Sequence, residues 1–511
     1  MMRATAYQSE SFNLLAALDQ RLAEAASVLL DTDALDLPES RRPGVVSSHL
    51  LPELIALCID PRRQDARWLV LTAAFGALPT IDQLLEFGRI TELASAVHTE
   101  YTLLAEVIKD PGRGRVDLPM TIISEGVVVD VDFCARHDTH TGIHRVVRET
   151  IPRWNAEHEV TTVASIDQYS AFRSLAPREV NRVFAYDHPD PVDQAAEMAY
   201  RPQLVVPWRS VLVLPESANP REGANSRDGG QLACLARFSG NTVSMIGYDM
   251  IPITSAEMRP RADADAFTQY LTVVKHAHRV AGISRSSAAE FAGFTHSLAA
   301  QGLSGPEVRE VLLAGEAPQA LESSRRRGGS RPVMLCVGSQ EPHKNQRAAL
   351  HAAERLWREG LAFEVRLVGG IGWSNDVLRP AIERLVDAGR SITPLGRVSE
   401  VRLMDELRSA DFVFFASLHE GYGLPVAEAL ACGTPVITSN FGSQLEIAEL
   451  GGCIVVDPRD DDEVTDAVRR LLTEPDELDR LRAEAVARPV RTWDAYAAEL
   501  WAFLCADQDL A

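Results

Sequence analysis

The sequence predicts an α/β protein in which two Rossmann-like domains face each other, with a helical extension in front of them. Three observations lead there. Two blocks of the chain alternate short apolar runs with amphipathic helical stretches, the pattern of parallel sheets covered by helices. A polar stretch rich in glycine and arginine, SSRRRGGS at 323–330, separates the blocks and reads as an interdomain linker. Residues 10 to about 110 carry helical periodicity and little strand signal.

The extension, 1–115, opens with SFNLLAALDQRLAEAASVLL, where Leu14, Leu15, Leu18, Leu22 and Leu29 share one helical face. Thr80 and Gln83 are spaced as a capping box at the start of a later helix. No chemical constellation occurs here, so the extension reads as a cap, an oligomerisation module or a dock for acceptor or partner. The N-terminal domain is expected over 116–322, on the acceptor side. Its first strand is GVVVDVD from Gly126, with Asp130 and Asp132 inside the strand on one side. A loop carrying Gly142 follows. The next helix has Ile143, Val146, Val147, Ile151 and Trp154 on one face and Arg145, Arg148 and Arg153 off it. Further strands are expected at 210–215, 242–247, 279–284 and 308–313, with helices near 263–278 and 286–301. The span 170–230 reads as irregular. The C-terminal domain, 331–490, alternates cleanly: VMLCVG, NQRAALHAAERLWREG, FEVRLVGG, VLRPAIERLVDAG, VRLMDELRSA, FVFFAS, PVAEALAC and PVITS. A final amphipathic helix within 491–511, TWDAYAAELWAFL, is expected to cross back to the N-terminal domain.

A chain of 511 residues suits two or three domains. Its 46% hydrophobic and 24% charged residues fit a globular enzyme. A formal charge of -21 disfavours nucleic acid as a partner, which wants a basic face. Seven scattered cysteines form no metal knuckle and fit a reducing compartment. No signal peptide is evident, and the longest apolar run, WLVLTAAFGALPTI, is too short to span a bilayer. The expected location is the cytoplasm, free or resting on the inner face of the membrane.

The most informative segment is SLHEGYGLPVAEALACGTPVITSN, from Ser417 to Asn440. Glu420 and Glu428 have seven residues between them. FVFFAS ends a strand, LHEGYGL is a loop, and Pro425 suits the first turn of a helix. Glu420 therefore belongs at the carboxyl end of a strand and Glu428 about one turn inside the helix. The helix start offers free N–H groups and its positive dipole end to an anion such as phosphate. Gly421 and Gly423 permit close backbone approach. A loop acid can meet sugar hydroxyls or positive charge developing at an anomeric carbon, and a deeper one can hold a vicinal diol such as ribose. The plainer alternative for both is a solvated helix face.

HEGYGLPVAEALACGTPVITSNFGSQLEIAE resembles the signature of the retaining glycosyltransferases of family 4, whose fold is GT-B. Similarity continues through VGSQEPHKN at 337–345, RLVGGIGW at 366–373 and PLGRVSEVRLMDELRSADFVFFAS at 394–417. DTHTGIHRVVRE, YDMIPI and GISRSSAAEF match more weakly in the N-terminal half, and 1–115 does not match.

The resemblance implies a hexosyl transfer from a nucleotide diphosphate sugar to the hydroxyl of a glycan, a lipid-linked or a small-molecule acceptor. Surface polysaccharide, glycoconjugate or natural-product synthesis is the implied setting, without cofactor or catalytic metal. It places Glu428 on the ribose and Glu420 by the donor sugar, with the amides of Gly421, Tyr422 and Gly423 contacting the sugar hydroxyls and Leu424 beside them. Lys344 would neutralise the diphosphate, and Gly338 and Gly142 would line it. Relatives often carry an arginine where this chain has Ser339 or His343, so phosphate neutralisation is expected to draw on His343, Arg397 or Arg145. Tyr248 and Asp249 stand where relatives often have histidine and aspartate, and both are expected at the reaction centre, Tyr248 as a hydrogen-bond donor to the sugar. His137, His140 and His144 straddle a loop and a helix start, a poor metal set. The rival readings are a sugar-nucleotide epimerase and a non-catalytic partner of another transferase.

Overall fold

The structure is a computed structural model describing residues 2–31, 42–109, 115–139, 141–166, 170–186, 191–216, 229–316, 331–373 and 377–506. The expected linker, 323–330, and His140 lie outside the described residues.

Five helices, Met2–Leu29, Val45–Leu57, Gln64–Phe75, Ile81–Leu93 and Ala96–Lys109, form the extension. The Thr80–Gln83 capping box is present. The extension is built into the N-terminal domain: Leu22, Trp68, Leu69 and Leu71 share one core with Val128, Leu204, Trp208 and Leu212 of the sheet. The buried Arg21 fastens it, donating to the carbonyls of Ala73, Val116 and Leu118. A guanidinium taken out of water needs this full set of acceptors.

The N-terminal sheet has nine strands: β1 (Met120–Ser124), β2 (Val127–Asp130), β3 (Val160–Ile166), β4 (Ala171–Arg173), β5 (Leu204–Trp208), β6 (Val211–Leu214), β7 (Thr242–Gly247), β8 (Arg279–Gly282) and β9 (Glu307–Glu310). Their order is β1-β5-β4-β3-β2-β6-β7-β8-β9. All neighbours run parallel except β3–β4 and β4–β5. Four expectations are corrected. GVVVDVD is the second strand, after TIIS. Asp130 ends it, and Asp132 opens the short helix Asp132–Arg136. The 170–230 span, expected to be irregular, contributes β4 and β5, which lie between β1 and β3, in addition to the expected β6 at the centre of the sheet. Gly142 is the first residue of the Gly142–Glu157 helix, after the Thr141 cap.

The C-terminal sheet is wholly parallel, with β10 (Val333–Val337), β11 (Glu364–Val368), β12 (Ile392–Gly396), β13 (Phe412–Phe415), β14 (Val436–Ser439) and β15 (Cys453–Val456) in the order β12-β11-β10-β13-β14-β15. The strands are short and almost continuously apolar because helices cover both faces. Loops after β7 and β8 meet the loop after β13, so the carboxyl ends of the two sheets face each other, where open α/β sheets bind ligands.

The Trp493–Leu504 helix lies on the N-terminal domain. The Trp154 indole N–H donates to Ala497 O at 2.8 Å, Ser244 Oγ donates to Leu504 O at 2.9 Å, and Trp501 stacks on His158. Among the described residues no helix is long and apolar enough to cross a membrane.

Candidate functional site

β13 delivers the chain to the interdomain cleft, and the loop 416–423 carries it into the Leu424–Ala431 helix. Gly423 caps that helix at φ 104, a backbone region that L side chains rarely adopt. Pro425 occupies the first turn, where no N–H is required. Gly421 has a different reason: a Cβ there would lie 2.2 Å from Tyr248 O of the other domain.

Glu420 receives the Lys344 ammonium, with Nζ at 2.7 and 2.9 Å from its two oxygens. Lys344 reaches it from the short turn Pro342–Lys344 after β10, passing beside Gly338, whose φ is 126. Two strand ends thus place one cation and one carboxylate together. Glu428 lies deeper and is buried. Arg145 of the Gly142–Glu157 helix donates to it across the cleft and lies 3.5 Å from Glu400. Burial pushes the Glu428 carboxyl above the usual carboxylate range, and Arg145 opposes that shift.

The remaining expected residues fall into two groups. Gly142, Leu424, Gly421, Gly423 and Asp249 come together: Leu424 Cδ1 lies 3.2 Å from where a Gly142 Cβ would stand, and Asp249 adjoins Gly421. Asp249 accepts the Ile251 N–H at 3.0 Å, and burial raises its carboxyl above the usual range. Three expectations change. Tyr248 turns its ring into the core, 5% exposed, and donates its hydroxyl to Pro215 O at 2.7 Å, so it does not present a hydrogen bond to a sugar. His343 is buried, stacks on Trp373 and lies 3.7 Å from Glu341, which removes its ring from phosphate duty. Arg145 is committed to Glu428, so its charge is not a spare cation for phosphate. Tyr422, expected to act through its backbone amide, buries its ring and donates its hydroxyl to Leu313 O. Arg397 is exposed at the cleft edge beside Gly370.

Among the described residues no cluster of three or more His, Cys, Asp or Glu could hold a metal. His137 and His144 both pack on the Phe133 ring, at 4.3 and 4.4 Å between centroids.

The sequence reading missed the N-terminal groups that hold the Glu420 loop. Ser284 Oγ donates to Gly421 O at 2.6 Å. Ser255 Oγ and Glu290 Oε1 each lie 2.8 Å from a ring nitrogen of His419. Arg259 stacks on Trp373, whose indole donates to Met258 O. Ser284 is legible as a helix N-cap before RSSAAEF, and it also makes this second contact.

Residues 320–488 match the family described as Glycosyl transferases group 1. The C-terminal domain carries the group 1 glycosyltransferase pattern. Over 132 residues, 26% of this chain and 34% of the relative, it is 37% identical to the O-antigen chain mannosyltransferase B of Escherichia coli. Over 341 residues, 63% of this chain, it is 24% identical to the serotype-specific mannosyltransferase WbdA of Escherichia coli, covering 40% of that protein. The MMP alpha-(1->4)-mannosyltransferase of Mycolicibacterium hassiacum is 33% identical over 181 residues, 34% of this chain and 43% of the relative. The matched stretches therefore span 34–43% of the length of these relatives. Among solved structures, Anabaena HepE with UDP and glucose superposes at a TM-score of 0.51 and 12% identity, over 74% of this chain and 99% of that one. Sucrose-phosphate synthase of Thermosynechococcus elongatus gives 0.50 at 17% identity, over 74% and 97%. These likenesses establish the GT-B fold, two Rossmann-like domains about a cleft.

Proposed function

We propose that this chain is a retaining hexosyltransferase that moves a sugar from a nucleotide diphosphate donor to an acceptor hydroxyl. The observation that carries the reading is the pair at the cleft floor: Lys344 and Glu420, from adjacent strand ends, lie against the capped start of the Leu424–Ala431 helix, with Glu428 a turn deeper. A leaving diphosphate gathers negative charge, which a lysine and a helix amino end stabilise. Glu420 would face the sugar and Glu428 the ribose, with Arg145 offsetting part of the cost of burying the Glu428 carboxylate. Arg397, exposed at the edge, is the remaining cation for the phosphates, and Asp249 lies on the acceptor side of Gly421. In a same-face displacement the departing phosphate oxygen takes the acceptor proton while these groups hold the charge. The names of the sequence relatives favour a mannosyl donor and a surface polysaccharide acceptor, and a chain working in the cytoplasm at the inner membrane face suits that acceptor.

The test is a panel of nucleotide sugars read first by thermal shift, since a bound donor stabilises the fold by mass action. Release of nucleoside diphosphate in the presence of oligosaccharide acceptors follows, with product anomers assigned by NMR. Glu420→Ala should melt as the wild type does and transfer nothing. Full transfer by that variant, or donor binding without turnover on any acceptor, refutes the proposal.

A further inference from the structure

The loop that carries Glu420 is held from both domains, and its tip on either side of Glu420 is held from the N-terminal one. His419, its immediate neighbour, is wedged between two N-terminal groups, with Nε2 2.8 Å from Glu290 Oε1 and Nδ1 2.8 Å from Ser255 Oγ. On the other flank, Gly421 O accepts from Ser284, and its Cα sits against Tyr248 O. From the C-terminal domain, Ser443 Oγ donates to Glu420 O at 3.0 Å, Lys344 donates to the Glu420 carboxylate, His343 O accepts the Leu418 N–H at 2.7 Å, and Asn345, Gln444 and Ser439 hold residues 416–417. Glu290 is itself fixed, since its second oxygen accepts the Met250 N–H at 2.8 Å. It therefore connects the turn after β7, which holds Asp249, to the loop after β13.

We propose that Glu290 and His419 form a positioning pair: Glu290, from the N-terminal domain, orients His419 and through it the Glu420 carboxylate, so the transfer site is complete only when the two domains meet at this contact. The inference rests on the glycosyltransferase reading for the part played by Glu420. Neither residue touches a substrate in this scheme.

Charge around the ring supports it. His419 faces Glu290 from the Arg285–Leu298 helix, the Ser255 hydroxyl, Asp249 from the turn after β7, and Glu420 on its own loop. Two cations stand behind these acids: Lys344 on Glu420 and Arg259 near Asp249. Burial works against a charged imidazole, but the Glu290 hydrogen bond and the charges of Glu290, Asp249 and Glu420 together hold its pKa above the ordinary value. Protonated, the ring donates to both Glu290 and Ser255. The sign follows from the raised value: below it the charged ring is attracted to Glu290, and as pH rises through it the ring loses that charge while Nδ1 becomes an acceptor for the Ser255 hydroxyl.

The test uses the full chain and Glu290→Gln, which keeps the side-chain shape and an acceptor for Met250 but removes the charge. Histidine-labelled protein is titrated by NMR, with the His419 signal assigned by its loss in His419→Gln. The midpoint should be lower in Glu290→Gln than in the wild type. In parallel, the pH profile of donor turnover should break on its alkaline side at the wild-type His419 midpoint, and that limb should move to lower pH in Glu290→Gln by the same amount. kcat should fall by about tenfold at neutral pH with the donor KM within about twofold, as expected for a misplaced acid. Ser255→Ala, which leaves the charge in place, should reduce kcat without moving the limb, and it keeps the test open should Glu290→Gln fold poorly. An unmoved His419 midpoint, or a Glu290→Gln enzyme with wild-type kcat and an unshifted limb, overturns the pair. A wild type that turns over no nucleotide sugar defeats the functional reading instead, while the NMR arm still decides whether the pair exists.

Discussion

Gly421→Ala is the sharpest probe of how the two domains share the site. The added Cβ would lie 2.2 Å from Tyr248 O and 3.2 Å from Asp249 Cβ. A carbon and a carbonyl oxygen settle at about 3.3–3.6 Å, so the loop and the N-terminal turn must separate by roughly 1 Å. The Ser284 Oγ to Gly421 O bond, now 2.6 Å, would be stretched by the same motion. A 1 Å misplacement of a reacting group costs about 100-fold, or about 2.7 kcal/mol of transition-state stabilisation. One hydrophobic cluster spans both domains here and includes Tyr248 and Tyr422, so the melting temperature should fall as well. The assay is nucleoside diphosphate release at saturating donor and acceptor, alongside a thermal melt. Gly293→Ala is the control, because nothing stands within 4 Å of its added Cβ and it lies inside a helix. It should keep full activity and gain up to about 1 kcal/mol from helix propensity. A Gly421→Ala enzyme within about threefold of wild-type kcat would refute the reasoning.

Two further outcomes are expected. Arg145→Gln leaves Glu428 buried without its cation and should destabilise the fold by about 3–5 kcal/mol near neutral pH, measured by urea unfolding. Because burial raises the folded Glu428 pKa, that deficit should shrink as pH falls through the raised value toward 4.5, where the carboxyl gains a proton; a deficit that grows on acidification would contradict this. Tyr248→Phe removes only the hydroxyl bonded to Pro215 O, so it should cost about 1 kcal/mol of stability and retain transfer activity, whereas a loss of kcat at unchanged donor KM would restore the tyrosine to the chemistry.

The sequence was most legible where local chemistry and global fold agree. VMLCVG, FEVRLVGG, FVFFAS and PVITS are buried strands whose apolar runs survive any packing. Pro425 and the glycines before it placed the helix start and, with it, Glu420 and Glu428. β12 was passed over because ITPLG holds a proline and a glycine, which weaken a strand signal. β4 has three residues and β1 five, and neither stands out from its flanks. The direction of Tyr248 was hidden for a different reason: its position in sequence put it at the cleft, but only the packing around Pro215 decides where the ring points. Glu290 and Ser255 were beyond reach, since each acts through a contact with His419 more than a hundred residues away. The same holds for Arg145, whose partner Glu428 is supplied by the other domain.

The return of the last helix to the N-terminal domain means that the C-terminal domain is tethered at both of its ends. The two crossings run side by side: Gly315 N–H donates to Arg491 O at 3.0 Å, Arg491 Nε donates back to Leu312 O at 2.5 Å, and Trp493 N–H donates to Glu316. A body hung from two adjacent threads swings about the line through them and cannot freely twist. Opening and shutting would then follow one path, and each shutting would bring His419 and Gly421 back to the same neighbours.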